Sequence, residues 1–168
     1  MTDRDADFTA YLQARQARLL RTAYLLTGDQ HQAEDLLQTA FAKLYLAWDR
    51  VHDRESVDAY VRRIIVNENN SLWRRAWRRR EVPTGEVPDR TESHDEYDEG
   101  RSAAVWQVVQ TLPRKARAVV VLRYYEQLTE AETAEVLGIS VGTVKSQCSR
   151  ALAALRERTP AELREEER

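Results

Sequence analysis

Residues 129–150 read TEAETAEVLGISVGTVKSQCSR, and their spacing decides the fold of the half of the chain they occupy. Thr129 followed by Glu132 has the form of a capping box, in which the Thr hydroxyl and the Glu carboxylate satisfy free amide groups at a helix start. Gly138 closes that helix, because glycine accepts the left-handed backbone of a tight turn. Ser140 then caps a second helix that runs to about Arg158. Ala134, Gly138 and Val144 stand at the spacings of a helix-turn-helix: the small Ala lets two helices approach, and Val144 enters their shared core. Leu137, Ile139 and Val141 are expected to complete that core.

This register places Thr143, Lys145, Ser146, Gln147, Ser149 and Arg150 on or near the exposed side of the second helix. Each can donate hydrogen bonds, and Lys145 and Arg150 add charge, so base edges in the major groove or phosphates are the expected partners. A plain helical hairpin with a glycine turn has the same outline; the donor-rich second helix is what separates the two. Cys148, the single cysteine, reads as a buried or half-buried small residue and not as a redox sensor, since no second Cys exists to pair with it.

Working upstream, Val105, Trp106, Val108, Val109 and Leu112 mark a helix, and Pro113 suits the start of another from Arg114 to about Tyr125. The segment from Glu81 to about Gly100 holds Pro83, Gly85 and Pro88 with almost no large apolar side chain, and reads as a flexible acidic linker. Residues 8–80 form a first module with three helical patterns. Phe8, Tyr11, Leu12, Leu19, Ala23 and Leu26 precede a stop at Gly28. Ala33, Leu37, Ala40, Phe41, Leu44 and Trp48 make an apolar stripe whose other face carries Glu34, Asp35, Gln38 and Lys43. After a polar loop from Asp49 to Ser56, Val57, Tyr60, Val61, Ile64 and Ile65 open a third helix that continues through Leu72, Trp73 and Trp77. The two tryptophans, four residues apart, are either core or a stacking platform.

Composition sets the outer bounds. With 168 residues, the chain is one ordinary domain or two small ones. Its 42% apolar and 32% charged residues suit globular cores, while 5 Gly and 4 Pro leave little for the turns of an all-β protein. An all-α fold of two small helical domains is expected, spanning 8–80 and 101–158 around a linker at 81–100. The formal net charge of −2 argues against nucleic acid, but its distribution reverses that. Arg62, Arg63, Arg74, Arg75, Arg78, Arg79 and Arg80 crowd together, and Glu81, Glu86, Asp89, Glu92, Asp95, Glu96, Asp98 and Glu99 follow. Met1 to Asp5 lacks the basic start of a signal peptide, and apolar runs such as Ala118 to Leu122 fall far short of a membrane span. A soluble cytoplasmic protein is expected, with no membrane insertion.

Ala33-Glu34-Asp35-Leu36-Leu37-Gln38, Tyr60-Val61-Arg62-Arg63-Ile64-Ile65-Val66-Asn67, Leu112-Pro113 and Gly138-Ile139-Ser140-Val141-Gly142-Thr143-Val144-Lys145-Ser146 together carry a family resemblance. From about Ala17 to Glu157 the chain resembles the extracytoplasmic-function class of RNA polymerase sigma factors in the sigma-70 family, and is most similar to its SigE-like actinobacterial branch. The resemblance implies a region 2 helical bundle and a region 4 helix-turn-helix, and a transcription initiation factor that brings core RNA polymerase to promoters. It implies that Glu34, Asp35, Gln38 and Arg63 bind the clamp helices of the largest polymerase subunit, with the β flap as a further contact. Asn67, Arg74, Arg75 and Arg78 would then hold the minus-ten strand. Ser140, Thr143, Lys145, Ser146, Ser149 and Arg150 would read the minus-thirty-five duplex, and the loop Asp49 to Ser56 would meet a flipped base. An anti-sigma protein is a further partner the resemblance implies. Two departures bear on individual contacts: Thr39 and Ala40 follow Gln38 where many members carry an acidic residue, and Tyr60 replaces a common Trp.

Single strands are held by cationic grooves and aromatic stacking. A linker of about 20 residues reaches roughly 65–70 Å when extended, enough to span two promoter elements on the order of 50–60 Å apart. Its acidity favours the positive channels of a polymerase over DNA. No cofactor or metal is expected, because His31, His52 and His94 stand far apart in sequence and no nucleophile constellation or phosphate loop appears. A free-standing helix-turn-helix regulator remains as the alternative, although it gives the Asp35/Gln38 face no task. A helical enzyme lacks any supporting motif.

Overall fold

A computed structural model describes residues 2–51, 54–80 and 101–159, with side chains for 56–75 in the second stretch and from 104 onward in the third. The expected linker at Glu81 to Gly100 and the side chains of Arg78 and Trp77 lie outside the described residues. The regular structure among the described residues is helical throughout, which is the all-α fold expected. The chain divides into two compact units, Met1–Thr91 and Glu92–Arg168.

In the first unit, helix α1 spans Asp3–Thr27, α2 spans Gln30–Ala47 and α3 spans Arg54–Arg80. Helix α1 begins before Phe8 because Thr2 and Asp5 form a reciprocal capping box. The apolar repeat starts only at Phe8, so a reading by periodicity misses that polar first turn. Gly28, at φ 73°, takes the left-handed conformation that ends α1 and donates its N–H to the Tyr24 carbonyl at 2.7 Å. Asp29 follows at once as the cap of α2, accepting the Gln32 N–H at 2.9 Å.

Helix α2 packs against both α1 and α3. Its buried face carries Ala33, Leu36, Leu37, Ala40, Leu44 and Ala47, while α1 buries Leu19, Ala23 and Leu26 and α3 buries Val57, Val61 and Ile65. The spacing of four in the α3 set keeps one face inward. Each fully buried Leu or Ile contributes about 1.5–3 kcal/mol relative to exposure. Polar ties fix the register: Tyr11 donates its phenol to Asp58 at 2.7 Å, and Arg15 approaches the same carboxylate at 3.0 Å. Burial first, and then the bond to Asp58, push the Tyr11 phenol well above the ordinary tyrosine range. Lys43 of α2 pairs with Glu68 of α3. The polar loop expected at Asp49 to Ser56 is largely folded: a 3₁₀ turn takes Trp48–Arg50, and α3 has begun by Arg54. His52 and Asp53 lie outside the described residues.

In the second unit, α4 spans Arg101–Val109, α5 spans Arg114–Val120, α6 spans Glu130–Leu137 and α7 spans Val141–Arg158. The single helix expected from Arg114 to Tyr125 is instead two segments, since the backbone widens into a π-helical turn over Val121–Tyr125. There the Glu126 N–H bonds to the Val121 carbonyl, five residues back, at 3.0 Å. The wider turn accompanies four consecutive buried side chains, Val119, Val120, Val121 and Leu122, too dense a run for the one inward stripe of an amphipathic helix. Gln127, at φ 56°, then reverses the chain into the Thr129 cap.

Candidate nucleic-acid interface

The second unit builds its outward surface from α6, a glycine turn and α7. Thr129 accepts the Glu132 N–H at 3.1 Å while the Glu132 carboxylate accepts the Thr129 N–H at 2.7 Å, so the capping box read from sequence is formed. Gly138 sits at φ 67°, and a Cβ there would meet nothing within 4 Å, so the backbone angle and not crowding favours glycine. The Ser140 hydroxyl accepts the Thr143 N–H at 3.0 Å and starts α7.

Val144 and Cys148 of α7 are buried against Ala134 of α6 and Val119 of α5, with Leu137 and Leu152 packed around them. Ile139 and Val141, expected to complete this core, do not: they are 36% and 39% exposed. Ser140 between them must stay extended for its hydroxyl to cap α7, and residues two apart across extended backbone share a side. Here that side is solvent. Cys148 lies in the buried cluster as read, with its sulfur 3.4 Å from the Tyr124 hydroxyl. That hydrogen bond, followed by partial burial, raises the Tyr124 phenol above its ordinary range.

The opposite side of α7 presents Thr143, Lys145, Ser146, Ser149 and Arg150, all exposed, with Gln147 half-buried. Ser140 and Thr143 spend their hydroxyls partly on each other at 2.8 Å, and Ser146 donates to the Thr143 carbonyl at 3.1 Å. Lys145 lies 3.8 Å from the Glu130 carboxylate, an exposed pair of the kind that contributes little and exchanges readily for another anion. Cations and small hydroxyl donors on one face of a helix that is pinned from behind can enter a major groove and meet phosphates.

In the first unit, Glu34, Asp35 and Gln38 are exposed on α2, with Leu36, Leu37 and Ala40 turned inward. Glu34 accepts from the Gln30 side chain at 2.9 Å. The same outer face continues to Leu46, 78% exposed, which the apolar stripe gave no reason to single out. On α3, Arg63, Asn67, Arg74 and Arg75 are all exposed. Arg63, Asn67 and Arg74 are separated by four and seven residues, which aligns them along one stripe. Trp73, 45% exposed beside Arg74 and Arg75, is not core, which resolves one of the two readings left open for it. Together these residues make a cationic helix end with an exposed aromatic. The two units thus offer separate surfaces, one on α7 and others on α2 and α3.

Residues 11–79 match the family profile described as Sigma-70 region 2, and residues 102–155 match the one described as Sigma-70, region 4. The RNA polymerase sigma-E factor of Streptomyces coelicolor is 44% identical across 90% of this chain and 85% of its own length. The chain belongs to the sigma-70 family. Within that family it is similar to the ECF RNA polymerase sigma factor SigE of Mycolicibacterium smegmatis, 33% identical over 83% of this chain and 56% of the relative. Its fold is shared with the sigma factor RpoE of Bartonella quintana, solved in complex with the anti-sigma factor NepR: the TM-score is 0.78 at 24% identity, covering 96% of this chain and 99% of that one. As a sigma factor it directs RNA polymerase to promoters in transcription initiation, and the free-standing regulator is not favoured. None of the described helices of this sigma factor is long and apolar enough to cross a membrane.

Proposed function

We propose that this sigma factor divides promoter recognition between two modules, residues 8–80 and 101–158, joined by the acidic segment 81–100. Glu34, Asp35 and Gln38 on α2, with Arg63 nearby, dock on the clamp helices of the largest polymerase subunit, and the second module meets the β flap. Asn67, Arg74 and Arg75 of α3, continued by Arg78, hold the displaced minus-ten strand through charge, and the segment from Asp49 to Ser56, which opens in the turn Trp48–Arg50, lies against that strand and meets a flipped base. Ser140, Thr143, Lys145, Ser146, Ser149 and Arg150 meet the minus-thirty-five duplex. Ser140 and Thr143 do so from a cap whose hydroxyls are already oriented.

The observation that carries this reading is the division of α7, with Val144, Cys148 and Ala151 buried and five donor side chains exposed on the other side. Such a helix is held rigidly enough to read a groove. Melting draws on binding energy to the opened strand, and the polymerase makes the phosphodiester bond; this chain performs no catalysis. It works in the cytoplasm, where the chromosome is. The Bartonella quintana sigma factor RpoE was solved with an anti-sigma factor, and we extend a partner of that kind to this chain.

The test is template selection from a randomised DNA library by core polymerase loaded with this chain. The expected winners share two short sequence blocks about one and a half to two helical turns apart. Selection of one palindromic duplex by the chain alone, with no effect of polymerase, would overturn the reading.

A further inference from the structure

The start of α1 and the end of α2 are joined by a cluster of polar and aromatic contacts around Arg4 and Tyr45. Arg4 donates its Nε to both carboxylate oxygens of Asp49 at 2.9 Å. Its Nη2 donates to the Tyr45 carbonyl at 2.6 Å, and its guanidinium lies 4.2 Å from the Tyr45 ring centroid. Tyr45 in turn donates its phenol to Asp5 at 2.8 Å, and the Thr2 hydroxyl donates to the other oxygen of Asp5 at 2.6 Å. Phe8 packs edge-on against Tyr45 and Trp48, at 5.0 and 5.2 Å between centroids, and Tyr11 reaches Trp48 at 5.5 Å.

These contacts converge on the 3₁₀ turn Trp48–Arg50, where the chain leaves α2. Asp49 is 72% exposed and Arg4 30% exposed, so their ion pair adds little to global stability. What a fork of donors shared between a side chain and a backbone carbonyl does supply is geometry. It fixes both the direction in which α2 ends and the angle at which Asp49 and Arg50 are presented.

We propose that Arg4 is a positioning residue for minus-ten recognition: by clamping Asp49 and the Tyr45 carbonyl, it sets the turn Trp48–Arg50 in the orientation that meets the displaced strand. The inference rests on the reading, made above, that this turn lies against that strand. A site held loosely reads its ligand poorly even when all its contact residues are present. The clamp therefore acts on promoter choice and opening, not on polymerase docking, which uses α2 farther back at Asp35 and Gln38.

Arg4→Ala, Arg4→Lys, Asp49→Asn and Arg50→Ala holoenzymes are compared with the parent in three measurements: core-polymerase affinity, open-complex formation, and preference for the selected minus-ten sequence over single-base variants. Arg4→Ala and Asp49→Asn are expected to keep core affinity and thermal stability, to slow opening, and to flatten the base preference. Arg4→Lys keeps the charge but not the fork, and is expected to resemble Arg4→Ala. Unchanged base preference in Arg4→Ala and Asp49→Asn, with Arg50→Ala altering it, would overturn the clamp while leaving the underlying reading intact. Unchanged preference in Arg50→Ala as well would remove that reading and the clamp with it. Full rescue by Lys, or weakened core affinity with normal base preference, would also overturn it.

Discussion

Leu44→Ala is expected to lower the stability of the first unit by about 2–5 kcal/mol, through lost burial and the cavity left behind. Leu44 is fully buried on the helix that packs against both α1 and α3, so no neighbouring element can close over the void without disturbing another. The second unit has its own core around Val119, Val144 and Cys148, and its stability should not change. Site-resolved hydrogen exchange checks both halves: protection should fall at Leu37 and Ile65 and stay constant at Val144 and Ala151. An equal loss in both units would contradict their independence.

Lys145→Ala combined with Arg150→Ala is expected to weaken binding of holoenzyme to a minus-thirty-five duplex by about 1–3 kcal/mol per residue if each meets a base. If either meets only phosphate, the loss should instead be uniform across sequences and the salt dependence should become shallower, by about one unit of slope per contact. Neither side chain supports the fold, since both lie on the face of α7 away from Val144 and Cys148. Fluorescence anisotropy across a salt series separates these outcomes. Unchanged affinity at every salt concentration would remove α7 from the DNA interface.

What could be read from sequence follows from how local each determinant is. The α6–turn–α7 unit rests on contacts within a few residues: the Thr129 box, Gly138 and the Ser140 cap each announce themselves by residue type and spacing. The inward stripe of α2 was likewise visible at Ala33, Leu37, Ala40 and Leu44 because it repeats with the helix period. Ile139 and Val141 are apolar yet exposed, because the extended Ser140 cap turns both outward, which residue type alone does not reveal. The π-helical turn at Val121–Tyr125 depends on how the second unit's core closes around four consecutive apolar residues, which no window of one helix reveals. Arg4 and Asp49 are 45 residues apart and carry no motif, so only the packing of α1 on α2 brings them together. Candidate surface residues are legible through the family resemblance, and the structure adds that those described are exposed.

Competition for core RNA polymerase between this chain and a housekeeping sigma factor separates the α2 face from the α7 face, when the parent is compared with Asp35→Ala/Gln38→Ala and with Lys145→Ala/Arg150→Ala. The parent and the α7 variant are expected to compete equally, and the α2 variant to lose about tenfold or more in affinity. Equal competition by all three would contradict the assignment of the α2 face to the polymerase.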